Sequence, residues 1–492
     1  MNMKKILIII SVFLFLASCE KFDDMNKDRK NPTKVTGESL FTGAQKNLFD
    51  QMVSSNVNLN IFRLFAQYWT ETTYIDESNY DLVTRTIPDN HWDVMYRDVL
   101  KDLKEASTII GSTNYPLDPI ADAPTIKKNR LAEVEVMSIY VWAQLVETFG
   151  NIPYTEALDI NKPSPKYDDA LTIYQDLISR LNAAIANLNA EFPGIGPADN
   201  MYGGDVTLWL KFANSLKLEL GMLLAGVPGQ ESLSKSTVED AVNLNGGPFT
   251  SNADNANLPY GDASPNTNPL YMDLVASGRH DFVPTSRFVD YMNSLDDPRR
   301  EFYFTLFNDS IYLGGTNGAI NKYKNYSHVA PRIVEPNFPG TIFDYSEVEF
   351  FLAEAVERGY SVGGTAEGHY NAAITASINY WAAQNQMTVP DSVISKYLTN
   401  PLVAYATAGS TYQEKIGNQK WIALYNRGFE AWTSWRKLGF PTLVAPPNAF
   451  SDIPLRFTYP IEEQTLNGAN YEAASSAIGG DLVSTKLFLF KN

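Results

Sequence analysis

Cysteine is almost missing from this chain: Cys19 is the only one in 492 residues. A single thiol can close no internal disulfide, so the fold must rest on its apolar core. Histidine is nearly as scarce. His91, His280, His328 and His369 show no metal-ligand spacing, and no His-Glu-x-x-His occurs, so no metal site is expected. There is no Gly-x-Ser-x-Gly elbow for an acyl-transfer nucleophile. Gly194-x-Gly196 runs into Pro197 and does not lie between a strand and a helix, which excludes a dinucleotide loop. Cofactors and catalytic residues are therefore expected to be none. Basic runs are missing too, and the net charge is −17, which argues against nucleic acid, whose phosphates must be neutralised by Lys and Arg.

Long apolar runs are missing apart from one near the start. Met1–Asn2–Met3–Lys4–Lys5 is basic, Ile6 to Ala17 is apolar or small, and the run ends in Leu16–Ala17–Ser18–Cys19. That run is shorter than the roughly 20 residues a resident membrane helix needs. It reads as a secretory signal with a lipobox, removed before Cys19, whose thiol takes a diacylglycerol and whose new N-terminus is acylated; three acyl chains exceed the two signals that stable anchoring needs. Residues 1–18 are the expected signal peptide and 19–36 an acylated, polar tether. Removing 1–18 takes away Lys4 and Lys5 and no acid, so the mature chain is more negative still.

What the chain has in plenty is aromatics: 27 Tyr, 26 Phe and 8 Trp. Many belong in the core, but this many tyrosines also suit a binding surface. Apolar residues at steps of three and four predict helices over 91–110, 128–149, 168–188 and 205–224. A further hairpin is expected over 345–383 and a helix from Thr411 to Lys437. Helix hairpins recurring along a chain predict a mainly α, irregular tetratricopeptide-like scaffold of about four helix pairs. Residues 246–340, broken by nine prolines, read as a loop-rich insertion on that scaffold, with short strands at Phe302–Phe307 and Ser310–Leu313. Residues 37–492 are then one domain.

Phe149–Gly150–Asn151–Ile152–Pro153 reads as a helix stop, glycine taking the left-handed turn with proline beyond. Glu347 and Glu349 fall in a first helical turn. Spaced i and i+2, they do not face each other, so capping and surface solvation explain them better than glycosidase chemistry. Trp421, Trp432 and Trp435 read as one core-facing stripe. Asp296–Asp297–Pro298–Arg299–Arg300 reads as a helix-ending charged turn.

Four ordered segments carry a family resemblance: Phe149–Ala157; Tyr345–Ala355 with Arg358–Gly359; Lys420–Leu424 with Gly428–Trp432 and Arg436; and Arg456–Pro460 with Glu463, Asn467, Asn470 and Tyr471. Behind a lipobox, this set resembles the SusD/RagB family of nutrient-binding outer-membrane lipoproteins, in its SusD-like subgroup. The resemblance implies four tetratricopeptide-like helix pairs and a variable loop-rich half. It also implies a non-catalytic, cell-surface protein that captures an oligosaccharide, or in some members a peptide, for a SusC-type TonB-dependent barrel. Glu20–Lys21–Phe22–Asp23–Asp24 is similar to the acidic export signal of surface lipoproteins in one group of Gram-negative bacteria. A surface hydrolase and a purely structural scaffold are the other readings.

Sugars are held by aromatic faces with amides, carboxylates and Arg on their hydroxyls. Two regions fit. One is the loop from Trp69 through Tyr74 to Tyr80, where an apolar helix runs into polar residues; Tyr68 and Trp69 would otherwise cap the core. The other is a wall in the loop-rich half, with Tyr260, Arg279, His280, Tyr312 and Tyr323. Loops placed on a rigid scaffold are where binding groups concentrate.

Overall fold

The structure, a computed structural model, describes residues 35–115 and 123–491. The expected signal peptide, Cys19 and most of the expected tether lie outside the described residues. Helix α1 (Gly37–Val53) is N-capped by Thr36, whose hydroxyl accepts the Ser39 N–H at 3.1 Å. It is followed by α2 (Ile87–Asp93), a π-helical segment (Val94–Leu100) and α3 (Lys101–Ser112), which run on as one rod. Then come α4 (Ala123–Phe149), α5 (Ala170–Asn187), α6 (Val206–Leu224) and α7 (Glu231–Asn243). Past the loop-rich region lie α8 (Tyr345–Glu357), α9 (Ala366–Gln384), α10 (Tyr412–Ala423) and α11 (Gly428–Leu438).

These helices stack as four antiparallel pairs, α1 with α3, α4 with α5, α6 with α7 and α8 with α9, and α10–α11 close the stack. The pairing differs from the hairpins the sequence suggests, because α1 and α7 supply partners that periodicity did not reveal. Small residues set the crossings. A Cβ on Gly221 of α6 would lie 2.7 Å from Val238 Cγ2 of α7, closer than side chains pack. Helix α4 ends as expected, Gly150 taking φ +89°.

Among the described residues six short strands form three two-stranded ribbons: β1 (Trp69–Glu71), β2 (Ile152–Pro153), β3 (Tyr167–Asp168), β4 (Ala256–Leu258), β5 (Phe282–Pro284) and β6 (Gly340–Phe343). β1 pairs with β5, β2 with β3 and β4 with β6, all antiparallel. The expected strand at Phe302–Phe307 is not one. Arg300–Tyr303 is a helical turn, and Phe304 and Phe307 make only single bridges, to Val329 and Ile311. The turn is anchored by Arg299, fully buried, whose Nη2 donates to Asp297 at 2.6 Å and to Gln419 at 3.0 Å. Asp296 ends the preceding helix with φ +54°, so the charged turn is where the sequence put it.

The helix expected over 411–437 is two. Asn426 turns with φ +71°, and Gly428 sits so near Phe62–Arg63 that a Cβ would lie 2.4 Å from the Arg63 nitrogen. Trp421 therefore belongs to α10, while Trp432 and Trp435 belong to α11; Trp421 and Trp432 are buried. Glu347 is likewise not a surface cap. Asp344 does the capping, accepting the Glu347 N–H at 2.8 Å, while buried Glu347 pairs with Arg427 at 2.7 Å and Lys420 at 3.3 Å. Those two cations hold its carboxyl below the ordinary range against the opposing effect of burial, which is the largest single influence.

Candidate functional site

The β1–β5 ribbon joins the two regions that the sequence left apart. Trp69 faces Pro284, Thr70 faces Val283 and Glu71 faces Phe282. The pairing continues past Glu71, where the Thr72 N–H donates to Asp281 O at 2.8 Å and the Thr72 hydroxyl to His280 O at 2.6 Å. Beyond this ribbon the chain swings outward at Tyr74, a residue 70% exposed on a backbone with φ +53°. The left-handed region costs a non-glycine residue roughly 1–2 kcal/mol, and such outliers gather at functional sites. The chain then returns through a 3-10 turn, Glu77–Asn79, to Tyr80.

Tyr74 borders a cleft of ≈ 270 Å³ lined by Asn58, Glu71, Arg85, Met272, Arg279 and Asp281, among others. Its charges are satisfied from within the protein. Arg279 pairs with Asp281, Arg85 with Glu77, and Asp273 accepts the Ser55 N–H at 3.0 Å and the Ser54 hydroxyl at 3.1 Å. Glu71, at the floor, is pushed up to about 9 by burial, then by its hydrogen bond with Glu77. It therefore stays protonated at neutral pH and adds no charge to the cleft.

Beside the ribbon stand three stacked rings. His280 lies 4.3 Å from Tyr323 with an interplanar angle of 17°, and Tyr323 lies 3.8 Å from His328 at 5°. His280 is exposed and Tyr323 half-buried, so the end of the stack faces solvent. Burial, with His280 close by, keeps the His328 ring below its ordinary range, hence neutral.

The predicted residues divide in two. Tyr74 and Arg279 line the cleft, and His280 with Tyr323 stands next to it through Asp281. Trp69, Tyr80 and Tyr260 are core residues, only 1%, 2% and 7% exposed, and this corrects their expected role as stacking plates. The Trp69 indole donates to Tyr425 at 2.9 Å, the Tyr80 hydroxyl accepts from Gln67 at 3.0 Å, and the Tyr260 hydroxyl donates to Asp50 at 2.8 Å. Tyr312 is not brought to the cleft either: its ring sits 5.6 Å from the Arg300 guanidinium and next to Phe304. Sequence reading missed Arg85, Met272, Asp273 and Asp281, which no local pattern distinguishes from solvated loop residues.

Among the described residues no group of three or more His, Cys, Asp or Glu could hold a metal ion, and no helix is long and apolar enough to cross a membrane.

Solved structures share this architecture. A chitin-binding protein, 24% identical, superposes with a TM-score of 0.77 over 93% of this chain and 100% of its own. A chitin-binding SusD homolog from Flavobacterium johnsoniae is 22% identical, with a TM-score of 0.75 over 92% of this chain and 99% of its own. A SusD homolog from Bacteroides uniformis is 24% identical, with a TM-score of 0.75 over the same shares. At these identities the likeness speaks for the fold. No curated protein matches the sequence. Residues 29–460 match the SusD-like family described as starch-binding and associating with the outer membrane. That match runs over most of the sequence, and the chain belongs to the SusD-like family.

Proposed function

We propose that this protein is a non-catalytic, cell-surface binding lipoprotein that captures an oligosaccharide in the Tyr74 cleft. It hands the ligand to a SusC-type TonB-dependent transporter in the outer membrane, to which acylated Cys19 tethers it. Family membership supports the nutrient-uptake role, and the chitin-binding neighbours make a glycan the first ligand class to try.

The observation that carries the reading is an exposed aromatic face, Tyr74, over a preformed cleft whose charges are already paired. An apolar sugar face gains area burial on such a ring. Hydroxyls can take up the remaining lone pairs of Asp281 and Asn58 without displacing an ion pair. A charged peptide would have to compete with those pairs, so a neutral glycan fits better than a RagB-like peptide ligand. A hydrolase fits less well. Glu71 is the buried carboxyl of the cleft wall, and Glu77 beside it is held by Arg85 and does not line the cleft. Glycosidase carboxyls stand roughly 5–10 Å apart, with the scissile bond between them.

The test is a panel of oligosaccharides and peptides titrated against the purified mature protein, with mass spectrometry of the recovered ligand. Binding of a glycan recovered intact is the expected result. Shortened products would establish a hydrolase, and binding of peptides alone would establish the peptide reading.

A further inference from the structure

The geometry points to a second chamber of the same site: the Tyr74 cleft continues into a groove along α1 and the π-helical segment Val94–Leu100, so that one oligosaccharide spans both. This rests on the reading of the Tyr74 cleft as a glycan site.

The groove has a volume of ≈ 400 Å³ and is lined by Asp50, Asn56, Asp98, Ser264, Pro265 and Met272, among others. Asn56, Met272 and Asp273 line both spaces, so the two lie side by side and share a wall there. Volume makes the second chamber matter. The first cleft, ≈ 270 Å³, falls just under the roughly 300–1,000 Å³ of ordinary small-molecule sites. With the groove added, the combined site lies well inside that range.

The dividing wall is fixed rather than loose. Asp273 is held by the Ser54 and Ser55 hydroxyls, each at 3.1 Å, and the Asn56 N–H donates back to Ser54 at 3.0 Å. Met272, 44% exposed at the junction, offers a soft apolar surface to C–H groups passing from one chamber to the other. Both π-helical segments of the described residues contribute to the groove: Val94 and Asp98 come from one, Met272 and Asp273 from the other, Met272–Ala276. π-Helical turns are rare and recur at functional sites.

The two chambers differ in chemistry, which assigns each a task. The first presents the Tyr74 ring and can grip a sugar face. No aromatic side chain lines the second; its carboxylates and amides (Asp50, Asp98, Asn47, Asn56) suit the hydroxyl edges of further sugar units. A carboxylate has about four lone-pair sites, so the Asp98 pairing with Arg97 leaves room for a hydroxyl donor. Affinity should therefore grow with chain length until the second chamber is filled.

Calorimetric titration of chito- and malto-oligosaccharides, from disaccharide to hexasaccharide, tests this on the wild type and two variants. Ser264→Trp places bulk in the groove from an exposed position, and Asp98→Ala removes a hydroxyl acceptor. In the wild type, affinity for a bound series should climb about tenfold or more with length, a gain of about 1.4 kcal/mol. In Ser264→Trp the climb should nearly vanish while disaccharide affinity holds, and Asp98→Ala should show a smaller loss confined to the longer chains. Tyr74→Ala should weaken every length alike. An equal climb in Ser264→Trp, or a flat wild-type series, overturns the second chamber and leaves the first standing. Failure of every length in both series to bind wild type overturns the glycan reading and the second chamber with it.

Discussion

The Trp69 indole N–H donates to the Tyr425 hydroxyl at 2.9 Å, joining the start of the β1–β5 ribbon to the end of the helical stack. The Arg63 guanidinium lies 5.1 Å from the Trp69 ring centre, and Phe282 packs against the ring at 5.7 Å. The residue that looks most like a sugar platform in the sequence is thus a structural rivet beneath the site. Trp69→Ala should lower stability by about 3–5 kcal/mol, as large-to-small core changes do. A thermal melt checks this; a melting temperature close to wild type would show that the side chain is not core.

Much of the scaffold was legible before the fold was seen, because its signals are local. The apolar rows of α3, α4, α5, α6, α8 and α9 recur every three or four residues, and Gly150 marks its helix end. Helix α7 was not legible, since it buries only Ser234, Thr237, Val238 and Ala241 and reads as polar. Helix α1 buries Phe41, Leu48 and Phe49 but also Gln45 and Gln51, which blur its apolar stripe. Without those two helices the pairing came out shifted. The site was half legible for a different reason. Whether an aromatic is plate or core depends on what covers it, and Trp69 and Tyr80 are covered by Tyr425, Phe282 and Phe65, distant in sequence or on another element. Tyr74 escapes only because its left-handed backbone turns it outward.

Glu71 makes stability depend on pH. Its carboxyl is pushed up to about 9 in the folded protein, by burial first and then by Glu77, against about 4.3 in an unfolded chain. The folded state holds the proton more tightly, so this contribution is complete below the unfolded value. It fades as pH rises towards 9, by up to about 1.4 kcal/mol per pH unit. Wild-type protein should melt at a lower temperature at pH 9 than at pH 6, and Glu71→Gln should flatten part of that slope. An unchanged slope in the variant would show that Glu71 is ionised at neutral pH.

Arg299 and Asp297 form an ion pair with no solvent access to either side chain. Arg299→Leu strands the Asp297 carboxylate, and removing one partner of such a pair costs about 3–5 kcal/mol. Urea unfolding should therefore show a large loss in Arg299→Leu, partly recovered when Asp297→Asn is added. Equal stability of the single and double variants would contradict the pairing.

Cys19 lies outside the described residues, and its acylation is tested in cells. Radiolabelled palmitate should enter the wild type and not Cys19→Ala, which should leave the membrane fraction. Label in the alanine variant would end the lipid-anchor proposal.

The most direct test of the binding account pairs calorimetry with a thermal melt on Tyr74→Ala, using a glycan that the wild type binds. The ring is exposed and carries no packing load, so its loss should weaken binding about tenfold or more, about 1.4 kcal/mol, while leaving the melting temperature nearly unchanged. Unchanged affinity in Tyr74→Ala would contradict the account and move the ligand away from the β1–β5 cleft.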